Sequence, residues 1–543
     1  MSREILARQS SRRSLLKGAA GIGLGAVAAG SAVSAASAAP AHPGLLHTQA
    51  DFNRMAARVA AGAQPWLAGW NRLTANSHSQ STWKANPQAT VIRGDVPGQN
   101  YAILYNDIHA AYQNALRWKI TGDTANGNAA RDILNAWSGT LRTLTGNADR
   151  FLAAGIYGYQ FANAAEIMRG YGGFDLGRFQ TMMLTVFYPM NNQFLTGHND
   201  ACITNYWANW DLCAMASVLA IGVLCDDQAK IDQAITYFKT GAGNGSVNHA
   251  VPFLYAGGLG QWQESGRDQG HTMLGIALMG SFCQMAWNQG QDLFGYGGNR
   301  FMQGAEYAAK YNLGQSVPYT TYTWGSGQNC AQMAQPVISA ASRGDNRPAW
   351  ELLYNHYAKL KGLPVPNITA YAARVRVEGG GGDYGPNSGG YDQLGFGTLA
   401  YTLDATAGTY LRIRNAGTGL FIDGLGRAAD GGNAGQWSDS GGANQQWTIV
   451  GDGGYVRIRN RATGLFLDGM ARTANGSAAG QWSDTNSTNQ QWTIVGAGGT
   501  VRIRNRATGL FLDGMARTGN GDDLGQWSDT GSTSQQWTTV AAG

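Results

Sequence analysis

An all-α array followed by an all-β module of threefold symmetry is the architecture that this 543-residue sequence predicts. Apolar residues recur at three- and four-residue spacing from Asp51 to about Arg374, the signature of amphipathic helices. A motif of 45 residues then repeats three times from Thr409 to the end of the chain. The length alone calls for more than one domain. The boundaries read as 1–38, an export signal; 39–403, the helical domain; 404–408, a linker; and 409–543, the repeats.

Composition narrows the classes of partner. Charged residues are only 13% of the chain, and the 78 glycines show no Gly-X-Y period, with only 13 prolines, which excludes collagen and Pro-rich disorder. The net charge of +5 is concentrated: Arg3, Arg8, Arg12, Arg13 and Lys17 against Glu4 place +4 of it in the first 38 residues. The repeats carry 11 Arg against 10 Asp with no Lys or Glu, and residues 39–408 hold 23 basic and 23 acidic groups. Such a balance gives no support for nucleic-acid binding. An acidic ligand must therefore be met by focused groups. The 17 Trp and 23 Tyr are side chains on which sugar rings stack.

Ser11-Arg12-Arg13-Ser14-Leu15-Leu16-Lys17 precedes an Ala/Gly-rich apolar run, and Ala36-Ser37-Ala38 supplies small residues for cleavage. This reads as a twin-arginine export signal, so a secreted, extracellular or periplasmic protein is expected. No later stretch reaches 18 apolar residues, so no membrane partner is expected. Cys202, Cys213, Cys225, Cys283 and Cys330 form no CxxC pair, and no metal or other cofactor is expected. Disulfides are allowed but not required; Cys213 and Cys225 read as buried thiols.

Taken in order, the periodicity predicts helices over 51–59, 101–119, 129–144, 151–169, 179–194, 205–224, 228–239, 269–288, 300–313 and 347–360, with no strand-like runs between them. Gly122-Asp123, Gly146-Asn147 and Gly170 to Gly173 punctuate them. Trp66, Trp70, Trp118 and Trp137 read as packing between helices, and the turn-rich segment from Gly379 to Tyr391 as cover for a cleft mouth.

In the repeats, Val456 to Thr473 and Val501 to Thr518 are the same 18 residues. Three copies that then stop favour ring closure over an open solenoid. Gln445-Gln-Trp447, Gln490-Gln-Trp492 and Gln535-Gln-Trp537 place one Gln-x-Trp in each copy, and on this the region resembles the ricin-B-type β-trefoil, a carbohydrate-binding module. The resemblance implies that the Gln-x-Trp tryptophans are core and that Asp423, Asp468 and Asp513 accept from sugar hydroxyls. Asn444 and Asn489 would be their partners, and Trp437, Trp482 and Trp527 the aromatic platforms. The third copy has Ser534 in place of Asn, and Phe421, Phe466 and Phe511 stand where one of each half-cystine pair is usual. Asp-Gly after an apolar pair is also an ordinary turn, so the aspartates have a purely structural alternative.

Two segments of the helical region concentrate polar groups: Gly197 to Asp211, and Gln261 to Thr272. Asn205 and Asn209 are four apart, which on a helix puts both on one face beside Tyr206 or Trp210; Arg267 and His271 share that spacing. His42-Pro-Gly-Leu-Leu-His47, Tyr206-Trp-Ala-Asn-Trp210 and Glu264-Ser-Gly-Arg-Asp-Gln-Gly-His271 together resemble the alginate lyase family of α/α-toroid polysaccharide lyases, over about residues 42 to 403. Two of the family's motifs depart: Ile203-Thr204-Asn205 stands for Asn-Asn-His, and Leu274 for a Tyr. The resemblance implies β-elimination on an acidic polysaccharide, alginate or a related polyuronate. Asn205 and Arg267 would neutralise the substrate carboxylate, with His271 as base or neutraliser and Tyr322 as acid in competition with Tyr319, Tyr206 and Tyr384. Trp207, Asn209, Trp210, Glu264 and Tyr384 are the expected substrate contacts. Two other classes remain open at this stage. A glycoside hydrolase would need two flanking carboxylates, drawn from Glu264 or Asp268 with Asp211 or Asp383. A non-catalytic sugar-binding protein would need neither.

Overall fold

A computed structural model describes residues 39–384, 391–403, 410–452, 455–485, 487–497 and 500–541. The export signal, the linker and the middle of the turn-rich segment before Tyr391 lie outside the described residues.

The helical domain is an α/α toroid of packed helical pairs. Tyr101–Thr121 packs on Thr124–Thr140, Ala208–Leu224 on Gln228–Thr240, and Gln269–Asn288 on Tyr296–Asn312. Ala208–Leu224 is buried at every position except Trp210, so it has no solvent face and lies at the centre of the domain. It touches Gly158–Ile167, Tyr188–Gly197, Gln228–Thr240 and Gln269–Asn288.

Several expected boundaries move, each for a local reason. The helix expected over 129–144 is Thr124–Thr140: the Asp123 carboxylate accepts from Ala125 N at its start. Thr143 and Leu144 belong instead to a strand, Thr143–Gly146, paired in parallel with Thr90–Arg93. The helix expected from Asn205 begins only at Ala208. Trp207 is extended (φ −72°, ψ 159°), and the side-chain oxygens of Gln263 and Glu264 take the first two amides, Ala208 N and Asn209 N. Asn205 and Asn209 therefore do not share a helix face. Two short antiparallel hairpins also interrupt the helices, Phe253–Tyr255 with Leu259–Gln261 and Tyr322–Ser326 with Ala331–Gln335. A disulfide between Cys202 and Cys330, 128 residues apart, ties the second hairpin to the turn before Ala208. Cys213 and Cys283 are buried thiols and Cys225 a partly buried one.

Each repeat of the C-terminal domain folds alike. Phe421–Asp423 pairs with Gly435–Trp437, Phe466–Asp468 with Gly480–Trp482, and Phe511–Asp513 with Gly525–Trp527. The last strand, Trp537–Ala541, returns to pair with the first, Leu411–Asn415, and closes the ring as the repeat count predicts. Its core is built in layers of three: Ile413, Ile458 and Ile503; Ile422, Leu467 and Leu512; and Trp447, Trp492 and Trp537. In a fourth layer Ala434 and Ala479 are matched by the larger Leu524. The three core indoles donate to Ile422 O, Leu467 O and Leu512 O at 3.0, 3.0 and 3.2 Å, so these tryptophans are structural. Repeats are cross-linked in a cycle: Gln436 Nε2 donates to Gly514 O, Gln481 Nε2 to Gly424 O, and Gln526 Nε2 to Gly469 O. The Phe residues at the half-cystine positions lie under guanidinium groups, Arg412 on Phe421, Arg457 on Phe466 and Arg502 on Phe511.

Glu378 is a buried acid of the helical domain whose charge state sets a pH dependence. Glu378 Oε1 accepts from Trp350 N and Glu351 N, capping the helix that begins at Trp350, while Oε2 is buried without a partner. Burial and the neighbouring Glu351 push its carboxyl up to about 8. A raised acid pKa in the fold favours the folded state fully below the unfolded value, and that stability is lost as pH rises through about 8. Glu378→Gln removes the titration, so the fall in thermal midpoint between about pH 5 and pH 8 should be smaller than in the parent. Calorimetry at both pH values measures it.

Candidate active site

The two polar segments meet around a buried carboxylate. Glu264 is fully buried, and both its oxygens accept from Asn209 Nδ2, at 3.0 and 2.9 Å. Burial raises its carboxyl above the usual range, opposed by the charge of Arg267 and by the Asn209 bonds. Arg267 NH1 donates to Glu264 Oε2 at 3.1 Å, and Arg267 NH2 lies 3.1 Å from His271 Nε2. His271 Nδ1 is 2.7 Å from Asp268 Oδ2, and Asp268 Oδ1 accepts the His271 amide at 2.7 Å as the cap of Gln269–Asn288. Burial works against ionisation of Asp268, but the His271 bonds and the nearby charges outweigh it and hold its carboxyl low.

This pairing fixes the imidazole. With Asp268 as an anion, Nδ1 carries the proton and Nε2 presents its lone pair toward Arg267. Arg267 lies over the Trp207 ring at 5.2 Å, and Trp207 contacts Trp324 of the hairpin at 4.9 Å. His271 and Arg267 are about a third and a quarter exposed (35% and 26%), so the charged end of the cluster reaches solvent while its base does not.

Asn205 lies in the turn before Ala208 and is bonded to the hairpin. Its Oδ1 accepts from Gly327 N at 2.6 Å and Ser326 Oγ at 3.3 Å, so its amide NH2 is the end left to donate. Asn209 is buried on Glu264 and acts as a positioning residue. Trp210 packs on Phe194 and Tyr206. Tyr322 is buried, donates to Asn244 Oδ1 at 3.1 Å, and is pushed up to about 12 by burial. Tyr206 Oη accepts from Asn199 Nδ2, and Tyr319 Oη donates to Gln335 O. Tyr384 stands apart: its partners are Gly379 N and the Arg72 guanidinium.

The second carboxylates considered for hydrolysis, Asp211 and Asp383, are committed elsewhere. Asp211 is buried between His198, Tyr237 and Gly245 N, and Asp383 is held by Arg72 and Asn76. Among the described residues no group of three His, Cys, Asp or Glu could hold a metal ion. Also among them, no helix is long and apolar enough to cross a membrane. Sequence reasoning did not find Asn244, Gln263 or Trp324, whose roles appear only when the hairpin and the two segments are brought together.

In the trefoil, Asp423, Asp468 and Asp513 are buried, and each accepts a backbone amide two residues on, at 2.7, 2.6 and 2.7 Å. The turn-shaping role is therefore real. Burial raises the carboxyls of Asp423 and Asp468. Trp437 and Trp482 are exposed and Trp527 partly so. Each platform backs onto a left-handed glycine of another repeat: Gly521 under Trp437, Gly431 under Trp482 and Gly476 under Trp527, where a Cβ would come within 3.3–3.5 Å of the ring. Asn489 Oδ1 accepts from Ala471 N, whereas Asn444 Oδ1 is buried without a partner. Ser534 contributes its backbone oxygen to Gly514 N.

A tryptophan-walled charged cluster in a helical toroid, followed by a closed threefold lectin-type module, defines a polysaccharide-degrading, carbohydrate-binding protein. Its helical domain matches the model of the alginate lyase family over residues 99–317. Its C-terminal domain is ricin-type β-trefoil lectin domain-like, matched over 399–482, 452–524 and 488–543. No curated protein matches the chain. Among solved structures, the designed threefold-symmetric protein ThreeFoil is 35% identical over 24% of this chain and 98% of its own, with a TM-score of 0.24. An exo-β-1,3-galactanase from Clostridium thermocellum is 30% identical over 27% of this chain and 33% of its own, TM-score 0.24. The ricin B-like lectin of Macrolepiota procera, in complex with lactose, is 24% identical over 26% and 99%, TM-score 0.23.

Asn209→Ala leaves the buried Glu264 short of two hydrogen bonds. It should lower unfolding free energy by about 1–3 kcal/mol, read as a shift of the urea midpoint at unchanged slope.

Proposed function

We propose that this is a secreted polysaccharide lyase that cuts alginate or a related polyuronate by β-elimination and is held on glycan by its trefoil. The observation that carries the reading is Arg267, set between Glu264 and His271 with Trp207 beneath it. β-Elimination requires the charge of the substrate carboxylate to be neutralised so that the proton on C5 becomes removable. Arg267, whose planar fork matches a carboxylate, and the Asn205 amide supply the donors.

As the substrate carboxylate engages Arg267, His271 Nε2 is released from it and takes the C5 proton, and the imidazolium that forms is stabilised by Asp268. The electron pair from C5–H forms the C4=C5 double bond, and the C4–O bond breaks. The departing oxygen takes the Tyr322 proton, which burial keeps on the phenol at neutral pH. Products are an unsaturated uronate at the new non-reducing end and a new reducing end. Export through the twin-arginine motif at Arg12-Arg13 places this chemistry outside the cytoplasm, where polyuronates are found. Asp423, Asp468 and Asp513 with Trp437, Trp482 and Trp527 hold glycan, aided by Asn444 and Asn489.

Incubating the mature protein with alginate, glucuronan and neutral glycans tests the reaction. Ultraviolet absorbance from a new C=C bond should appear with a polyuronate; reducing ends without that absorbance would indicate hydrolysis, and binding with neither product a pure lectin. Arg267→Ala and His271→Ala should each lower kcat/KM by about 10²–10³. Full activity in His271→Ala removes it as base, and comparing Tyr322→Phe with Tyr206→Phe tests the acid. Asp423→Asn, Asp468→Asn and Asp513→Asn combined should abolish retention on immobilised glycan while leaving turnover of short soluble oligouronates unchanged.

A further inference from the structure

We propose that the trefoil carries two pockets for carboxylated sugars, formed where one repeat meets the next and separate from its aspartate–tryptophan sites. The class of ligand, a uronate, rests on the polyuronate reading above; the pockets themselves do not. Tyr410, Thr448, Arg459, Asn460, Arg461 and Gly464 line a single cavity of about 130 Å³ at the junction of the first and second repeats. Two guanidiniums share this cavity, and among the described residues no carboxylate lines it. Arg461 lies over the Tyr410 ring at 4.6 Å and donates to Gln446 Oε1. Arg459 Nε donates to Gly464 O at 2.8 Å, and its two NH2 groups have no partner among the described residues. Beneath them Thr448 and Asn460 are buried. Asn460 is fully bonded: Nδ2 donates to Asn444 O, and Oδ1 accepts from Ala462 N and Thr463 N. Four other arginines of the trefoil are neutralised by aspartates: Arg412 by Asp439, Arg457 by Asp484, Arg502 by Asp529 and Arg427 by Asp523.

The second and third repeats build the same junction. Arg506 lies over Tyr455 at 4.3 Å and donates to Gln491 Oε1, and Arg504 Nε donates to Gly509 O at 3.0 Å. The junction of the third and first repeats departs. Thr500 stands for the tyrosine and Ala416 for the stacked arginine, and Gln536 Oε1 accepts from Thr500 Oγ1 instead. Arg414 keeps the bond to Gly419 O, at 2.9 Å, but has neither neighbour. Its strands still pair and close the ring, Val501 on Trp537 and Trp537 on Asn415. The fold therefore does not require the stacked Arg–Tyr pair that the other two junctions carry.

Two like charges in one cavity repel, and an anion placed between them removes that cost. A guanidinium fork takes a carboxylate through two parallel bonds, and stacking on tyrosine holds the fork flat with an edge free. Pockets that enclose a whole small ligand are several times larger than this cavity. It suits a carboxylate and the edge of its ring, so each pocket adds to an aspartate site on the same polymer rather than replacing it. A chain with a carboxylate on every sugar can engage both pockets, whereas a neutral chain engages neither.

Calorimetric binding tests this in the full chain carrying Arg267→Ala and His271→Ala, so that the probe is not cut. The probes are alginate, its carboxyl-reduced neutral form, and dextran sulfate. Arg461→Gln combined with Arg506→Gln should weaken alginate binding roughly tenfold and leave the neutral form unchanged. The corresponding pair of Lys substitutions keeps the charge without the fork and should lose part of that affinity; it carries the comparison if the Gln pair does not fold. Arg414→Gln removes the same charge outside a pocket and should change alginate affinity less than about twofold. Thr500→Tyr with Ala416→Arg builds the third pocket and should strengthen binding. Equal weakening by Arg414→Gln and Arg461→Gln would reduce the effect to diffuse surface charge and overturn the pockets. Unchanged alginate affinity in the Gln pair, or no preference for alginate over its neutral form in the parent, would overturn them too. Dextran sulfate bound more tightly than alginate through the same arginines would overturn the carboxylate assignment. Elimination is scored separately with Arg267 and His271 intact, so failure of the pockets and failure of the lyase reading give different results.

Discussion

The burial of one carboxylate organises the helical half of the molecule. Glu264 sits where the two polar segments cross, and it does three things at once: it accepts the Asn209 amide at the start of the central helix, binds the Asn209 side chain, and anchors Arg267. A buried anion is tolerable only when it is fully bonded. That requirement locks the start of Ala208–Leu224 against the residues leading into Gln269–Asn288. The rest of the cluster inherits its position from this contact: Arg267 over Trp207, His271 within reach of Arg267, and Asp268 fixing the imidazole.

The hairpin Tyr322–Ser326 to Ala331–Gln335 supplies the opposite side, and it is tied down redundantly. Thr204 exchanges hydrogen bonds with Gly325, Asn205 accepts from Gly327 N, and the Cys202–Cys330 bond spans the same junction. Side chains that looked catalytic in the sequence therefore divide by task. Asn209 and Glu264 position, whereas Arg267 and His271 face outward.

Much of this was legible in the sequence because it depends on local pattern. Helical periodicity located the long helices, and the exact recurrence of Gln-x-Trp located the trefoil core. The helix start at Ala208 was not legible, because its cap comes from Gln263 and Glu264, 55 residues away. For the same reason the shared face of Asn205 and Asn209 does not exist. The strand Thr143–Gly146 was hidden too, since its partner is 53 residues earlier and both are only four residues long. The Cys202–Cys330 pairing and the place of Tyr322 against Asn244 are likewise set by contacts between distant segments, which periodicity does not record.

The near-identity of the second and third repeats poses a problem of addressing. Strands that are interchangeable in sequence can pair in the wrong order, or with another molecule, at little energetic penalty. Closure of Trp537–Ala541 on Leu411–Asn415 demands that all three be present, but it does not say which is which. The broken layers do. Leu524 facing Ala434 and Ala479 marks the third repeat, and Ile422 beside Leu467 and Leu512 marks the first, so these departures from symmetry in the core label the repeats for the folding chain.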